Sequence, residues 1–165
     1  MKLKKTAADN WFSKCVRMRT NYTCELCNQN YLEDRSGLHC SHYISRAYNS
    51  VRYHPLNAFA HCFKCHDRLG GIYSGGNVAD FTFHYDSINS KEERELIRRL
   101  SHRTFIDHKH HIKPIAKYYR KIHDDMMMAR YHGYCGRLEF DFYEGSLELN
   151  EFIREIMSDI SRSDR

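Results

Sequence analysis

Two cysteine pairs set the strongest limit on how this chain can fold: Cys24-Glu25-Leu26-Cys27 and Cys62-Phe63-Lys64-Cys65. A CxxC segment beside turn-forming residues makes a knuckle that aims two sulfurs at one point, and two knuckles can surround one zinc ion tetrahedrally. Two matched pairs favour structural zinc over a redox dithiol, for which a single CxxC suffices. The 35 positions from Cys27 to Cys62 exceed the reach of a simple zinc ribbon, so a further unit must be inserted between the knuckles. Cys15, Cys40 and Cys135 remain as free thiols, the ordinary state of a buried cysteine.

No apolar signal-peptide core follows Met1-Lys2-Leu3-Lys4-Lys5, and no apolar run reaches the roughly 20 residues of a membrane helix. The expectation is therefore a cytoplasmic protein with no membrane partner, in which cysteines bind metal and do not form a disulfide framework. Charge is uneven along the 165 residues: positions 1–70 hold 11 Lys/Arg against 5 Asp/Glu, and positions 138–165 hold 3 against 8. A basic front half suits the phosphates of nucleic acid, a task the acidic end cannot share.

Periodicity divides the chain into four parts. Residues 1–22 form a basic N-terminal helix, with Trp11, Phe12, Cys15 and Val16 at helical spacing. Residues 23–75 hold the zinc-bound core, with a strand from Leu38 to Ile44, a polar loop over 45–54, the apolar piece 56–60 and a short helix ending at Gly70-Gly71. Residues 76–130 are a largely helical extension. In it Phe81, Phe83 and Tyr85 alternate like a strand, Ser90-Lys91-Glu92-Glu93 opens a helix with a capping box, His102–His111 reads as a loop, and Pro114 sits in the first turn of another helix. Residues 131–165 give an acidic element, a strand over Leu138, Phe140 and Phe142 and then a helix from Leu149 to Ile160. Its apolar residues should pack on the chain itself or on a second copy, as a homodimer contact away from the nucleic acid.

Between and beside the cysteine pairs stand His39, His42, Asn57 and His66. The order His42, Asn57, His66, with nine positions from Asn57 to His66, resembles the signature of the HNH nucleases. The resemblance implies an α+β fold in which a zinc-stapled, treble-clef-like ββα-metal core carries surrounding helices. It also implies metal-dependent hydrolysis of DNA phosphodiesters. Such a reaction needs a proton acceptor for the attacking water and a cation for the charge on the phosphate. An imidazole titrates near neutrality and can serve as the acceptor, here His42. The resemblance assigns Asn57 to holding that imidazole or the hairpin in register. It makes His66 a ligand of the catalytic divalent metal, Mg2+ or Mn2+. His39, Cys40 or His66 could instead replace a cysteine at the structural zinc.

A longer stretch, from the Trp11-Phe12-Ser13-Lys14-Cys15-Val16-Arg17-Met18-Arg19 helix through His42-Tyr43-Ile44-Ser45-Arg46 and Arg52-Tyr53 to both CxxC pairs, resembles the lambdoid-phage NinG (Rap) recombination nucleases. The likeness continues through Leu96–His102 and Ile115–Lys121, covers roughly residues 3–128, and implies branched recombination DNA as substrate in an infected bacterial cell. The family's pattern has an acidic residue where this chain has His39, which makes His39 a second ligand of the catalytic metal; strand alternation would turn His39 and His42 apart unless a bulge or the strand's end intervenes. The family's Gly-Asn becomes Gly71-Ile72 here, with Asn77 as a stand-in from a longer loop. Arg46, Arg52, Lys64 and Arg68 are the expected DNA contacts, gripping the backbone and not reading sequence. Two other functions fit the same residues: a non-catalytic zinc DNA-binding accessory to recombination, and a sequence-preferring HNH nicking endonuclease.

Overall fold

A computed structural model of the chain describes residues 3–70, 77–102, 108–143 and 147–163. The fold is α+β and mostly helical, with one small antiparallel sheet. Helix α1 (Ala7–Arg19) starts at Thr6, whose Oγ1 accepts from the Asp9 N–H at 3.2 Å while Asp9 Oδ2 accepts from the Thr6 N–H at 2.7 Å. This reciprocal cap satisfies donors that a helix start leaves unpaired. Phe12, Cys15, Val16 and Met18 then bury one face of α1.

The first cysteine knuckle follows directly. Asn28 takes a left-handed conformation at φ 59°, and its N–H bonds the Cys24 carbonyl at 2.9 Å, closing the turn that carries Cys24 and Cys27. Strand β1 (Leu38–His42) pairs antiparallel with β2 (Ala58–Cys62), in an unbroken register running from Leu38 opposite Cys62 to His42 opposite Ala58. Between them lies the short helix α2 (Asn49–Arg52), and α3 (Phe63–Gly70) leaves β2 without a break. Hairpin and helix therefore have the order β1–β2–α3, and the second cysteine pair sits at the β2–α3 joint.

Helix α4 (Val78–Ile88) corrects the strand expected over Asp80–Asp86. The apparent alternation fails because Phe83 is 79% exposed, whereas Phe81, His84 and Tyr85 share the buried face at helical spacing. Asn77, the stand-in considered for a metal ligand, is engaged as the α4 cap, its Oδ1 accepting from the Ala79 N–H. Helix α5 (Lys91–Ser101) begins at the capping box of Ser90 and Glu93, as its sequence requires. Helix α6 (His108–Tyr131) starts six residues before Pro114, so the proline lies inside the helix and His108–His111 are helical, not loop. The rest of the expected histidine loop, 103–107, lies outside the described residues.

No strand forms over Leu138–Phe142: the segment joins no sheet. Its one ladder-like bond runs from the Leu138 N–H to the Arg19 carbonyl at 2.9 Å, and Phe140 packs its ring on Phe12 and Tyr119. Helix α7 (Leu147–Ser163) lies against α5, with Ile156 buried and Phe152 and Ile153 on the Val51–Ile97–Leu100 cluster. The acidic end thus packs on its own chain. The largest apolar cluster joins α1, the first knuckle, both strands, α6 and residues 138–143, crossing three of the expected part boundaries. Among the described residues no helix is long and apolar enough to cross a membrane.

Arg52, expected to touch DNA, is instead 2% exposed. Its Nε and Nη2 donate to the two Asp9 oxygens at 2.8 and 2.6 Å, tying α2 to the first turn of α1. Burial alone would raise the Asp9 carboxyl, but the Arg52 bonds and those from Thr6 outweigh it and hold the group below its ordinary value. Removing one member of a buried pair strands the other charge away from water, a loss of about 3–5 kcal/mol. Arg52→Ala should therefore lower the urea midpoint strongly, and a midpoint within error of the wild type would contradict this role. The pair's stabilisation is present above the unfolded carboxyl value near ~4 and fades as pH falls through the lower folded value. Asp9→Asn should accordingly flatten the acid limb of the stability profile.

Candidate functional site

The structure gathers all four paired cysteines. The sulfurs of Cys24, Cys27, Cys62 and Cys65 lie within 4.8 Å of one another, and Cys27 Sγ is 3.9 Å from Cys62 Sγ. A tetrahedral ion with Zn–S bonds of about 2.3 Å spaces its sulfurs about 3.8 Å apart, so the cluster could hold a structural metal such as zinc. The neighbouring backbone suits thiolates: the Cys62 N–H donates to Cys24 Sγ at 3.3 Å. Burial works against ionising Cys62, but the Cys65 N–H and the Tyr31 hydroxyl prevail and bring that thiol to about 7. Gly37 makes room for Tyr31, because a Cβ there would lie 2.8 Å from its ring.

Glu25, inside the first CxxC, is a hub that spacing alone did not reveal. Its N–H donates to the Ala60 carbonyl and its carboxylate accepts from the Ala60 N–H, pinning the knuckle to β2. Arg19 donates to both Glu25 oxygens at 3.1 Å and to the Ala58 carbonyl at 2.7 Å, and Arg137 reaches Glu25 at 2.7 Å. Burial would raise the Glu25 carboxyl; the Arg19 charge, the Ala60 N–H and Arg137 overcome it and lower it.

His42 stands at the last position of β1. Its Nε2 is 2.9 Å from the Arg52 carbonyl oxygen, which can only accept, so Nε2 carries the proton and Nδ1 keeps its lone pair. Burial drives His42 down to about 4, against the raising effect of that carbonyl, and Arg46 pushes the same way as burial. The ring is therefore neutral at physiological pH. Asn57, fully buried, braces the loop between the strands: Oδ1 accepts from the Ile44 N–H at 2.8 Å, and Nδ2 donates to the Ile44 and Val51 carbonyls, each at 3.0 Å. It holds the hairpin and not the imidazole itself.

His66 lies on α3 with Nδ1 2.6 Å from Ser41 Oγ, and its ring stacks on His39 at 5.7 Å and 15°. Burial and His39 lower His66; burial, Arg17 and Lys5 lower His39. Because β1 runs without a bulge, His39 and Ser41 share the α3 side while His42 turns to the α1 side, its ring 6.0 Å from Phe12. The structure brings His39 to His66 but puts His42 on the other face, separated from Ser41 by a single position. Two stacked imidazoles keep their lone pairs in parallel planes, so His39 and His66 do not converge on one ion as placed. Besides the four cysteines, no group of three or more metal-ligating side chains comes together among the described residues. His39, Cys40 and His66 are all outside the cysteine cluster, which is complete without them.

Of the expected DNA contacts, Lys64 and Arg68 are exposed on α3 and Arg46 is half-buried beside His42, whereas Arg52 is internal. The sequence reading overlooked His61 and His84, whose Nε2 atoms are 3.2 Å apart in the interior. Pairing residues 38–42 with 58–62 would have set His61 opposite His39, and a helical reading of Phe81, His84 and Tyr85 would have found the other ring. Compared with known family models, with curated proteins and with solved structures, the chain matches none.

A metal-free preparation should lose its fold, since binding energy of a structural zinc is largely folding energy. Purified protein is expected to carry one tightly held zinc per four-cysteine cluster. Cys62→Ser should release it and broaden the unfolding transition. Intact fold with no zinc by elemental analysis would contradict the assignment.

Proposed function

We propose that the chain is a metal-dependent DNA endonuclease of the HNH type. The observation that carries this reading is the preparation of His42: a strand-end imidazole with Nε2–H tied to the Arg52 carbonyl, a free Nδ1, and a loop braced by Asn57 beside it. Such an anchor fixes the tautomer and orientation that a general base requires. In the tautomer that ligates through Nε2, His66 donates from Nδ1 to Ser41, the kind of outer-sphere support typical of ligating histidines. A divalent ion bound by His66, with His39 swung out of its stack, would neutralise charge on the phosphate and the departing oxygen. Lys64 and Arg68 hold the DNA backbone near α3, and His42 takes a proton from the attacking water once its ring turns from the α1 side toward α3. The resemblance to recombination nucleases supplies branched DNA as the substrate class.

A second reading rests on the opposed faces of His42 and His66: a zinc module that binds DNA without cutting it. Cleavage separates the two. Duplex, flap and four-way-junction DNA incubated with Mg2+ or Mn2+ should be cut by the wild type, with branched forms cut faster. His42→Ala should reduce the rate by about 100-fold or more, the usual worth of a positioned base, with zinc content unchanged. His66→Ala should do the same. No cleavage by the wild type would favour the accessory module, and a His42→Ala protein as fast as wild type would remove His42 from the chemistry.

A further inference from the structure

A large apolar side chain stands in the open beside His39 and His66. Phe63 lies between Cys62 and Cys65, the two cluster cysteines at the β2–α3 joint; both cysteines are buried, whereas Phe63 is 64% exposed. Its backbone is held on either side, because Cys62 pairs with Leu38 across the hairpin and both flanking sulfurs belong to the cluster. Among the described residues its ring meets that of His39, 6.1 Å away and tilted by 55°, and most of the phenyl surface stays open to solvent.

A single exposed aromatic is ordinary on a protein surface, so its surroundings decide what it can do. Helical spacing sets Phe63 between His66 on one flank and Lys64 with Arg68 on the other. Lys64 and Arg68 are exposed, and Asp67, one turn on from Phe63, is engaged within the chain. Phe83 is more exposed still, but α4 itself carries Asp80 and Asp86 and no lysine or arginine to meet a phosphate. An open aromatic ring with cations beside it suits a nucleobase and its backbone, since the π faces stack while the phosphates meet the cations. In paired duplex each base face is covered by the next base. A base in a single strand, a flap or a branch point has a face free for the ring.

We propose that Phe63 is a stacking platform for one unpaired DNA base, with Lys64 and Arg68 holding the flanking phosphates. The contact adds affinity for DNA that carries unpaired positions and adds none for continuous duplex. It rests on the reading that α3 faces DNA and not on cleavage. A stacking platform must be fixed in place before the base arrives, and the position between two cluster cysteines fixes it.

Equilibrium binding of the full-length protein, measured without Mg2+ by fluorescence anisotropy, tests the platform on a single strand, a flap and a fully paired duplex. Phe63→Ala and Phe63→Leu, with cysteine-bound zinc and far-ultraviolet circular dichroism matching the wild type, should weaken single-strand and flap binding by about 5- to 150-fold, the worth of one stacked base. Duplex binding should stay unchanged in both, and Phe63→Trp should keep the wild-type affinity for the flap. Lys64→Ala should instead weaken all three DNAs alike, as loss of a phosphate contact does. A Phe63→Leu protein that binds the flap as wild type does, or a loss equal on flap and duplex, would overturn the platform. So would a wild type that binds none of the three. Cleavage in Mg2+ is a separate readout: cutting with no dependence on Phe63 sinks the platform alone, and Phe63-dependent binding with no cutting sinks the nuclease alone.

Discussion

Convergence of four sulfurs from two distant knuckles is the constraint on which the rest of the structure depends. The first knuckle follows α1, and the second forms the β2–α3 joint, so closing the cluster fixes α1, hairpin and helix against one another. The hairpin has only two five-residue strands, a size that is marginal by itself in water. A metal held by the four sulfurs, supplemented by Glu25 bridging the knuckle to Ala60, would give those strands a rigid frame. On such a frame His42 and His66 are each held by one hydrogen bond and Asn57 by three, all with defined partners.

Ionic groups in the interior divide the labour with the cluster. Arg19 and Glu25 lock the end of α1 to β2, and Arg52 and Asp9 lock the start of α1 to α2. Both pairs are almost inaccessible to water, with side-chain exposures of 3%/8% and 3%/6%. The excess positive charge of the front half is therefore not all surface charge. Two of its arginines are internal fasteners, which narrows the cationic surface open to solvent to residues such as Lys64 and Arg68 on α3.

The parts legible in the sequence were those governed by local rules. Cysteine spacing located the cluster, Ser90 and Glu93 located the start of α5, and the apolar face of α1 was plain from Phe12, Cys15 and Val16. Two of the failures share a cause, which is that alternation is ambiguous over short runs. Phe81-Thr82-Phe83-His84-Tyr85 reads as a strand unless one knows that Phe83 faces outward, and Leu138–Phe142 alternates without finding a strand to pair with. Arg52 could not be placed from spacing because its partner, Asp9, is 43 positions away. The facing of His42 away from His66 likewise follows from an unbroken strand register, a property of the pair of strands and not of either alone.

Arg130 sets a consequence for how the chain becomes a folded protein. Its guanidinium donates to the Met18 and Arg19 carbonyls at the end of α1 and to the Tyr134 and Gly136 carbonyls just past α6. The last turn of α1 is thus completed by a cation more than 110 positions downstream, immediately before the residues that carry the first two sulfurs. Contacts of such sequence separation are slow to form, because a long loop must close before they repay its entropy. A nascent chain that has exposed every cysteine of the cluster still lacks the residue that finishes the helix leading into it. Completion of the helix that leads into the cysteine cluster is in this sense a late event, tied to the C-terminal third of the chain and not to the cysteines themselves.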